Sequence, residues 1–330
     1  MKLIELTPSL SPKLCEQIAD FETLFDYPLN ESSRFSIEHG PDFTAFFAAI
    51  GHAKTWVLHS SGGVVGAFSC AVRTICIDGN NYRFAYCGDL KVHPRFQTIS
   101  ATGPNSNKAQ TLTKVGNQLG TRAGKVTRLL QSHLTHDVDL AYCVVMNGTR
   151  VTPDVYTGDR RIAELKPVSN LYILRFETAT MPDFSRSNFT LESGYSSYKH
   201  LSANTYIDLA RTELRSTIAP KWFISDKGAC GMLEDTRRAK RLYIDTGEEL
   251  VSAHLSYFFY KNAEAATAVL DQALHSASEQ GFPAMFLALS DEQYQVLSPH
   301  LARFGFSVSK AAVYATDPLA AKTPINTSEI

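Results

Sequence analysis

"GDLKVHPRF", residues Gly88–Phe96, is the stretch on which the reading of this chain turns. Polar and apolar side chains alternate up to Val92, the period of a half-buried strand. Pro94 stops it, because proline has no N–H to give a sheet ladder. Upstream, "TWVLHS" (55–60) and "GVVGAFSCAVRTICI" (63–77) read as two further strands. The turn "DGNN" (78–81) joins the second of these to the run ending at Pro94, with Gly79 supplying the positive φ of a tight hairpin. Earlier still, "KLIELT" (2–7) reads as a strand, Ser11 to about Leu24 as a helix, and "FTAFFAAIGHA" (43–53) as a second helical segment.

Downstream, residues 97–121 are rich in Thr, Ser, Asn, Gln and Gly and read as a long loop. A helix is predicted from Ala123 to about Thr135, with Val126, Leu129, Leu130 and Leu134 on one face. "DLAYCVVM" (139–146) and "NLYILRFET" (170–178) follow as strands. The polar, turn-rich stretch 178–194 interrupts the pattern, and a comparable order then returns. "YIDLARTELRS" (206–216) reads as a helix, "KWFISD" (221–226) and "GACGMLEDTRRAKRLYID" (228–245) as strands, and "NAEAATAVLDQALHSASEQGF" (262–282) as a strong amphipathic helix. "AMFLALS" (284–290) is a strand, a short helix reaches "HLARFGF" (300–306), "SVSKAAVYAT" (307–316) closes the sheet, and "PLAAKTPINTSEI" (318–330) reads as a frayed tail. The repeated order implies an internal duplication. The expected division is 1–178, a linker 179–198, 199–317 and a tail 318–330.

Composition narrows the function. The chain has 330 residues, 44% hydrophobic and 20% charged, with a net charge of −1, values of a globular protein with no basic excess for nucleic acid. No run is long enough to span a bilayer, and the N-terminus lacks the apolar core of a signal peptide. Six cysteines form no CxxC pair and no His/Cys ligand spacing, so buried reduced thiols, a cytoplasmic location and no metal are expected.

Three stretches resemble the GNAT-type N-acetyltransferases. "DLKVHPRF" (89–96) is similar to that family's fourth strand with its Val-x-Pro-x-aromatic ending. "RAGKVTRLL" (122–130) is similar to the start of its acetyl-CoA-binding helix, and "HLARFGFSVSKAAVY" (300–314) to its last helix and closing hairpin. The resemblance implies an α/β fold of two GNAT-like modules, each a mixed, mostly antiparallel sheet flanked by helices. It covers most of the chain in order of elements and only short stretches in residue identity.

It also implies a site. Main-chain groups of Leu90, Lys91 and Val92 would bond the pantetheine arm of acetyl-CoA. Arg122, Ala123, Gly124, Lys125, Val126 and Thr127 would hold the pyrophosphate at a helix N-terminus, whose free N–H groups and dipole favour anions. Asp89 would be the base, directly or through water, and Tyr156 the acid for the leaving thiolate. Plain alternatives stand beside these roles: Asp89 as a strand-edge carboxylate, Tyr156 as a loop tyrosine. The chain departs from the family in two ways. Gly124 lies 30 residues after Pro94, and Val126 stands where a second small residue is expected. A rival placement reads "QTISATG" (97–103) as the phosphate loop. The second module has no glycine at the start of its long helix and reads as non-catalytic, and its "RRAKR" (237–241) reads as a solvated face or turn.

The function implied is transfer of an acetyl group from acetyl-CoA to an amine of a small molecule or protein, by a monomer or homodimer. The alternative is a CoA-binding regulatory protein on a degenerate GNAT fold.

Overall fold

The computed structural model describes residues 2–29, 32–96, 138–149, 151–158, 163–178 and 191–330. The N-terminal half contributes β1 (Lys2–Glu5), α1 (Pro12–Glu22), β2 (Tyr27–Pro28), β3 (Arg34–Glu38), α2 (Ala45–Ile50), β4 (His52–Ser60), β5 (Gly63–Ile77), β6 (Asn80–Val92), β7 (Leu140–Met146), the one-turn α3 (Pro153–Tyr156) and β8 (Lys166–Glu177). The C-terminal half contributes α4 (Leu191–Leu201), β9 (Tyr206–Ile207), β10 (Lys221–Ser225), β11 (Ala229–Glu234), β12 (Arg241–Ile244), β13 (Ala253–Tyr260), α5 (Ala263–Glu279), β14 (Ala284–Ser290), α6 (Asp291–Leu301) and β15 (Phe306–Ala315).

Local chemistry sets many of these boundaries. Ser11 caps α1, its hydroxyl accepting from the Leu14 N–H, and Pro12 takes the first helical position. Asn262 caps α5, whose Ala265, Ala266, Val269, Leu270, Ala273, Leu274 and Ala277 form one buried stripe. Asp78 and Gly79 both have positive φ, the geometry of a two-residue hairpin between β5 and β6.

One sheet runs through both halves in the order β1-β4-β5-β6-β7-β15-β8-β14-β13-β11-β10, with β9 added to the far end of β5. Only β6–β7 and β13–β14 pair parallel among the described strands. The halves exchange strands: β15 lies between β7 and β8, and β8 lies between β15 and β14. Each half's sheet is thus completed by a strand from the other. A second, three-stranded sheet, β12-β3-β2, also crosses the halves.

Several expectations need correction. Residues 206–216 form no α-helix and carry only a 3-10 turn at Thr212–Leu214. Tyr206 and Ile207 pair with β5, the Ala210 N–H goes to the Tyr257 hydroxyl and the Arg211 N–H to the Ala49 carbonyl, so tertiary partners take the backbone groups a helix would use. The helix lies earlier, at α4, which begins inside the stretch read as linker and ends just past it. Its Gly194 is required, because a Cβ there would stand 2.1 Å from the Trp222 ring. The strand β13 was not expected, and the run 228–245 is two strands, β11 and β12, joined by a turn. Residues 318–330 are no free tail: Asn326, Thr327, Ser328 and Glu329 are buried between the halves.

Candidate active site

The register of β5 against β6 breaks once. Ser69 faces Gly88 and Ala67 faces Lys91, so Asp89 and Leu90 together stand opposite Phe68 in a β-bulge. Asp89 is left-handed, with φ of 51°, a conformation that costs a non-glycine residue on the order of 1 kcal/mol. Phe47 of α2 packs down on this point, and a Cβ at Gly88 would meet its ring at 2.7 Å. Beside the bulge, β6 pairs with β7 through Phe84, Ala85 and Tyr86. Past that point the two strands part, and Leu90 is 46% exposed. Among the described residues, no strand pairs with β6 on this side beyond Tyr86.

Charged side chains converge behind the bulge. His39, just after β3, bridges two carboxylates: Nδ1 is 2.6 Å from Glu22 Oε1 and Nε2 is 3.1 Å from Asp89 Oδ2. Glu22, the last residue of α1, also accepts the His39 backbone N–H at 3.1 Å. Lys91 Nζ lies 3.1 Å from Glu22 Oε1 and 3.3 Å from Asp89 Oδ1. The carboxylates converge closely enough to hold a cation, and the Lys91 ammonium is that cation. Burial pushes Glu22 and Asp89 up, but His39 and Lys91 outweigh it and hold both below the usual carboxylate range. Burial pushes Lys91 down, and Asp89, Tyr27 and Glu22 reverse that, keeping it firmly charged. Burial drives the neighbouring Tyr27 phenol up to about 12.

Lys240 reaches the same place from the other half. It ends the turn after β11, its N–H bonded to the Thr236 carbonyl at 2.7 Å. Its Nζ donates to the Ile330 carbonyl oxygen and lies 4.2 Å from the centre of the Phe46 ring. Burial pushes this amine down to about 7; Asp89 and Glu329 oppose the shift, Arg215 and Lys91 reinforce it.

The second half repeats the bulge. On β13, Ser256 faces Met232 and Phe259 faces Cys230, so Tyr257 and Phe258 stand opposite Gly231, and Tyr257 has φ of 52°. β13 likewise pairs parallel with β14 at Ala253 and His254 before parting from it. "AYCGDLKV" (85–92) and "AHLSYFFY" (253–260) therefore correspond residue by residue. Here, however, the opening is filled by the chain itself. The Tyr257 N–H donates to Asn326 Oδ1 at 2.9 Å. The Thr327 hydroxyl accepts from the Ala288 N–H on β14 at 2.8 Å and donates to the Leu255 carbonyl on β13 at 3.0 Å. Ser328 Oγ lies 2.9 Å from Ser256 Oγ. The segment continues into the first half, where Glu329 meets Arg73 at 2.7 Å and its carbonyl accepts from the Tyr86 hydroxyl at 2.6 Å.

The structure thus brings Asp89, Leu90, Lys91 and Val92 together at the bulge. Arg122, Ala123, Gly124, Lys125, Val126 and Thr127, and the rival loop at 97–103, lie outside the described residues. Tyr156 ends α3, which packs beside β8. Sequence reasoning missed Glu22, Tyr27, His39 and Lys240. None sits in a motif, and the reading of 237–241 as solvated is wrong for Lys240, which is buried.

The arrangement of the two halves is one already seen in solved structures. A crystal structure of Saccharomyces cerevisiae N-myristoyltransferase with bound myristoyl-CoA is similar at 11% identity, with a TM-score of 0.56, over 95% of this chain and 82% of that chain. A second structure of the same yeast enzyme with bound myristoyl-CoA is similar at 10% identity, with a TM-score of 0.58, over 95% of this chain and 77% of that chain. The fold is therefore that of a tandem GNAT-like protein of the N-myristoyltransferase type. Neither a family model nor a curated protein sequence matches the chain. Among the described residues no helix is long and apolar enough to cross a membrane.

Proposed function

We propose that this protein is an N-acyltransferase that takes an acyl group from an acyl-CoA and passes it to an amine. One observation carries the reading: two matched openings, of which the second is filled by the C-terminal segment and the first is filled by none of the described residues. In the second half an amide oxygen accepts from the bulge N–H, and a hydroxyl bridges the parted strands. A donor's thioester carbonyl and pantetheine amides offer the same hydrogen-bonding groups to the first half. By correspondence, the Asp89 N–H, the Cys87 carbonyl and the Val144 N–H would receive them, with Leu90, Lys91 and Val92 along the arm. Arg122, Ala123, Gly124, Lys125, Val126 and Thr127 are proposed to hold the pyrophosphate, and Tyr156 to protonate the leaving thiolate. The second half, its opening already taken, would bind no donor.

Asp89 receives a different role from the one its position first implies. A carboxylate held ionised between His39 and Lys91 is a weak proton acceptor, and its task here is to hold the bulge. The two candidate donors are acetyl-CoA, implied by the sequence resemblance, and myristoyl-CoA, bound by the yeast enzyme. Calorimetric titration of acetyl-CoA and myristoyl-CoA into the wild type and a Leu90→Glu variant tests the reading. Binding of one ester by the wild type, weakened at least 10-fold in the variant, is expected. Absence of binding by both esters would overturn it, while binding without turnover of any amine would favour a CoA-binding regulator.

A further inference from the structure

We propose that Arg175 anchors an anion-binding subsite on the shared sheet, which takes a carboxylate or phosphate group through the guanidinium and the facing Ser307 hydroxyl. The subsite is separate from the opening at the Asp89 bulge, and the inference does not depend on the acyl-transfer reading above.

The sheet places these groups. Arg175 lies on β8, an inner strand, where its Cα pairs with Ser307 of β15 on one side and Phe286 of β14 on the other. Directly paired residues point to the same face of a sheet. Phe286 is buried and packs on His254, with ring centres 5.5 Å apart, so that flank is closed. Ser307 is exposed, so the β15 flank is open to a ligand. The register also measures the distance to the bulge. Tyr86 of β6 pairs with Tyr142 of β7, and Tyr142 pairs with Ala315 of β15. Three strand spacings and about five residues of β15 then separate Arg175 from the level of Asp89, roughly 20–25 Å. An anion at Arg175 does not touch the bulge main chain.

The other sheltered arginines show what is missing. Four described arginines are not exposed, and three of them hold a carboxylate. Arg73 Nη2 lies 2.7 Å from Glu329, Arg215 Nη2 lies 2.8 Å from Glu234, and Arg237 Nε lies 2.9 Å from Asp235. Arg175 is the fourth, and its guanidinium has no ion pair or hydrogen bond among the described residues. Its Nε is shut off from solvent without a partner, whereas Nη1 and Nη2 are not shut off. Burial pushes this guanidinium below its usual value, with Glu177 opposing; in Arg73 and Arg215 the carboxylates reverse that push. Glu177, two residues along β8, is exposed and forms no ion pair with Arg175. A planar guanidinium with both Nη groups available pairs with a carboxylate or phosphate through two parallel hydrogen bonds. The Ser307 hydroxyl supplies a third donor on the open side. A neutral or cationic ligand would leave the sheltered charge without a counter-charge.

The test uses the full-length protein labelled with nitrogen-15 in arginine. It is titrated by NMR with sodium phosphate and with disodium succinate, the ionic strength held constant with sodium chloride. The Nε–H resonance that is absent from Arg175→Lys belongs to Arg175. A saturable shift of this resonance with at least one of the two anions is expected. The stronger of the two assigns the subsite to a carboxylate or to a phosphate group. Calorimetry then compares affinities. Arg175→Lys keeps the charge and loses the fork, and should bind about 10-fold more weakly or worse. Ser307→Ala, at an exposed position, should lose about 5-fold, the worth of one hydrogen bond. Glu177→Gln removes only the opposing charge and should bind more tightly than the wild type. A shift that never saturates with either anion would overturn the proposal and leave Arg175 with its stem along the sheet and its head in water. So would affinities unchanged in both Ser307→Ala and Glu177→Gln, two exposed substitutions that leave the core intact.

Discussion

Asp89 occupies a backbone conformation that most of β6 avoids, and its side chain shows what holds it there. His39 and Lys91 grip the carboxylate from two sides, and Glu22 grips the same two side chains. Removing one partner from a buried charge cluster costs roughly 3–5 kcal/mol, since the remaining charges stay buried. His39→Ala should therefore lower the urea midpoint sharply. Leu90→Glu, at an exposed neighbour, should stay within about 0.5 kcal/mol of the wild type. A second titration belongs to His254, whose Nδ1 has no hydrogen-bond partner among the described residues. Burial keeps this ring neutral in the fold, at about 3, while the unfolded chain takes a proton near 6.5. The fold refuses a proton the unfolded chain accepts, so stability is complete above about pH 6.5 and falls as pH drops toward 3. Between pH 7 and 4.5 the loss should be about 2–3 kcal/mol. Denaturant melts of His254→Phe across that range should show a flatter slope. None of these side chains announced itself in the sequence. In "RRAKR", Arg238 and Arg241 are exposed, Lys240 is buried, and composition does not say which cation turns inward. Lys91 was legible as a strand residue, because alternation reports the strand, but not as a buried cation, because that depends on Glu22 far away in the chain.

Elements were legible where local chemistry decides them. The β5–β6 hairpin, the caps of α1 and α5, and the stop at Pro94 all follow from residues within a few positions of each other. Elements decided by distant partners were not. The run 206–216 carries a helical period, yet β5, Tyr257 and Ala49 claim its backbone. β13 carries strand residues, but its bulge breaks the alternation that would have marked it. The same dependence on partners makes α4 fragile at Gly194. A methyl group at 2.1 Å from Trp222 must displace the helix or the indole, and overpacking of this kind costs ~1–3 kcal/mol. Gly194→Ala should lower the thermal midpoint by several degrees in a calorimetric scan. At the filled opening, Asn326→Ala strands the Tyr257 N–H in the interior, with an expected loss of about 1–3 kcal/mol in chemical denaturation.

At the scale of the molecule, the duplication was readable from the order of elements, and the exchange of strands was not, because no local signal says which half a strand will join. The boundary drawn near 179–198 separates two stretches of sequence that share one sheet. Residues 1–178 and 191–330 produced apart should each lack a cooperative unfolding transition by circular dichroism. Produced together, they should recover one. The site depends on the same sharing, since Lys240 of the second half packs on the Phe46 ring of the first.

The position of β15 bears on how the protein is made. A ribosome finishes β7 about 170 residues before it finishes β15, on the order of 10–30 s at ordinary rates of synthesis. Throughout that interval the nascent first half carries a ladder of main-chain N–H and C=O groups on β7 with nothing to close it. An open edge of this kind invites pairing with other chains. The emerging polypeptide should therefore depend on a holding chaperone, and slowing translation should lower its yield rather than raise it.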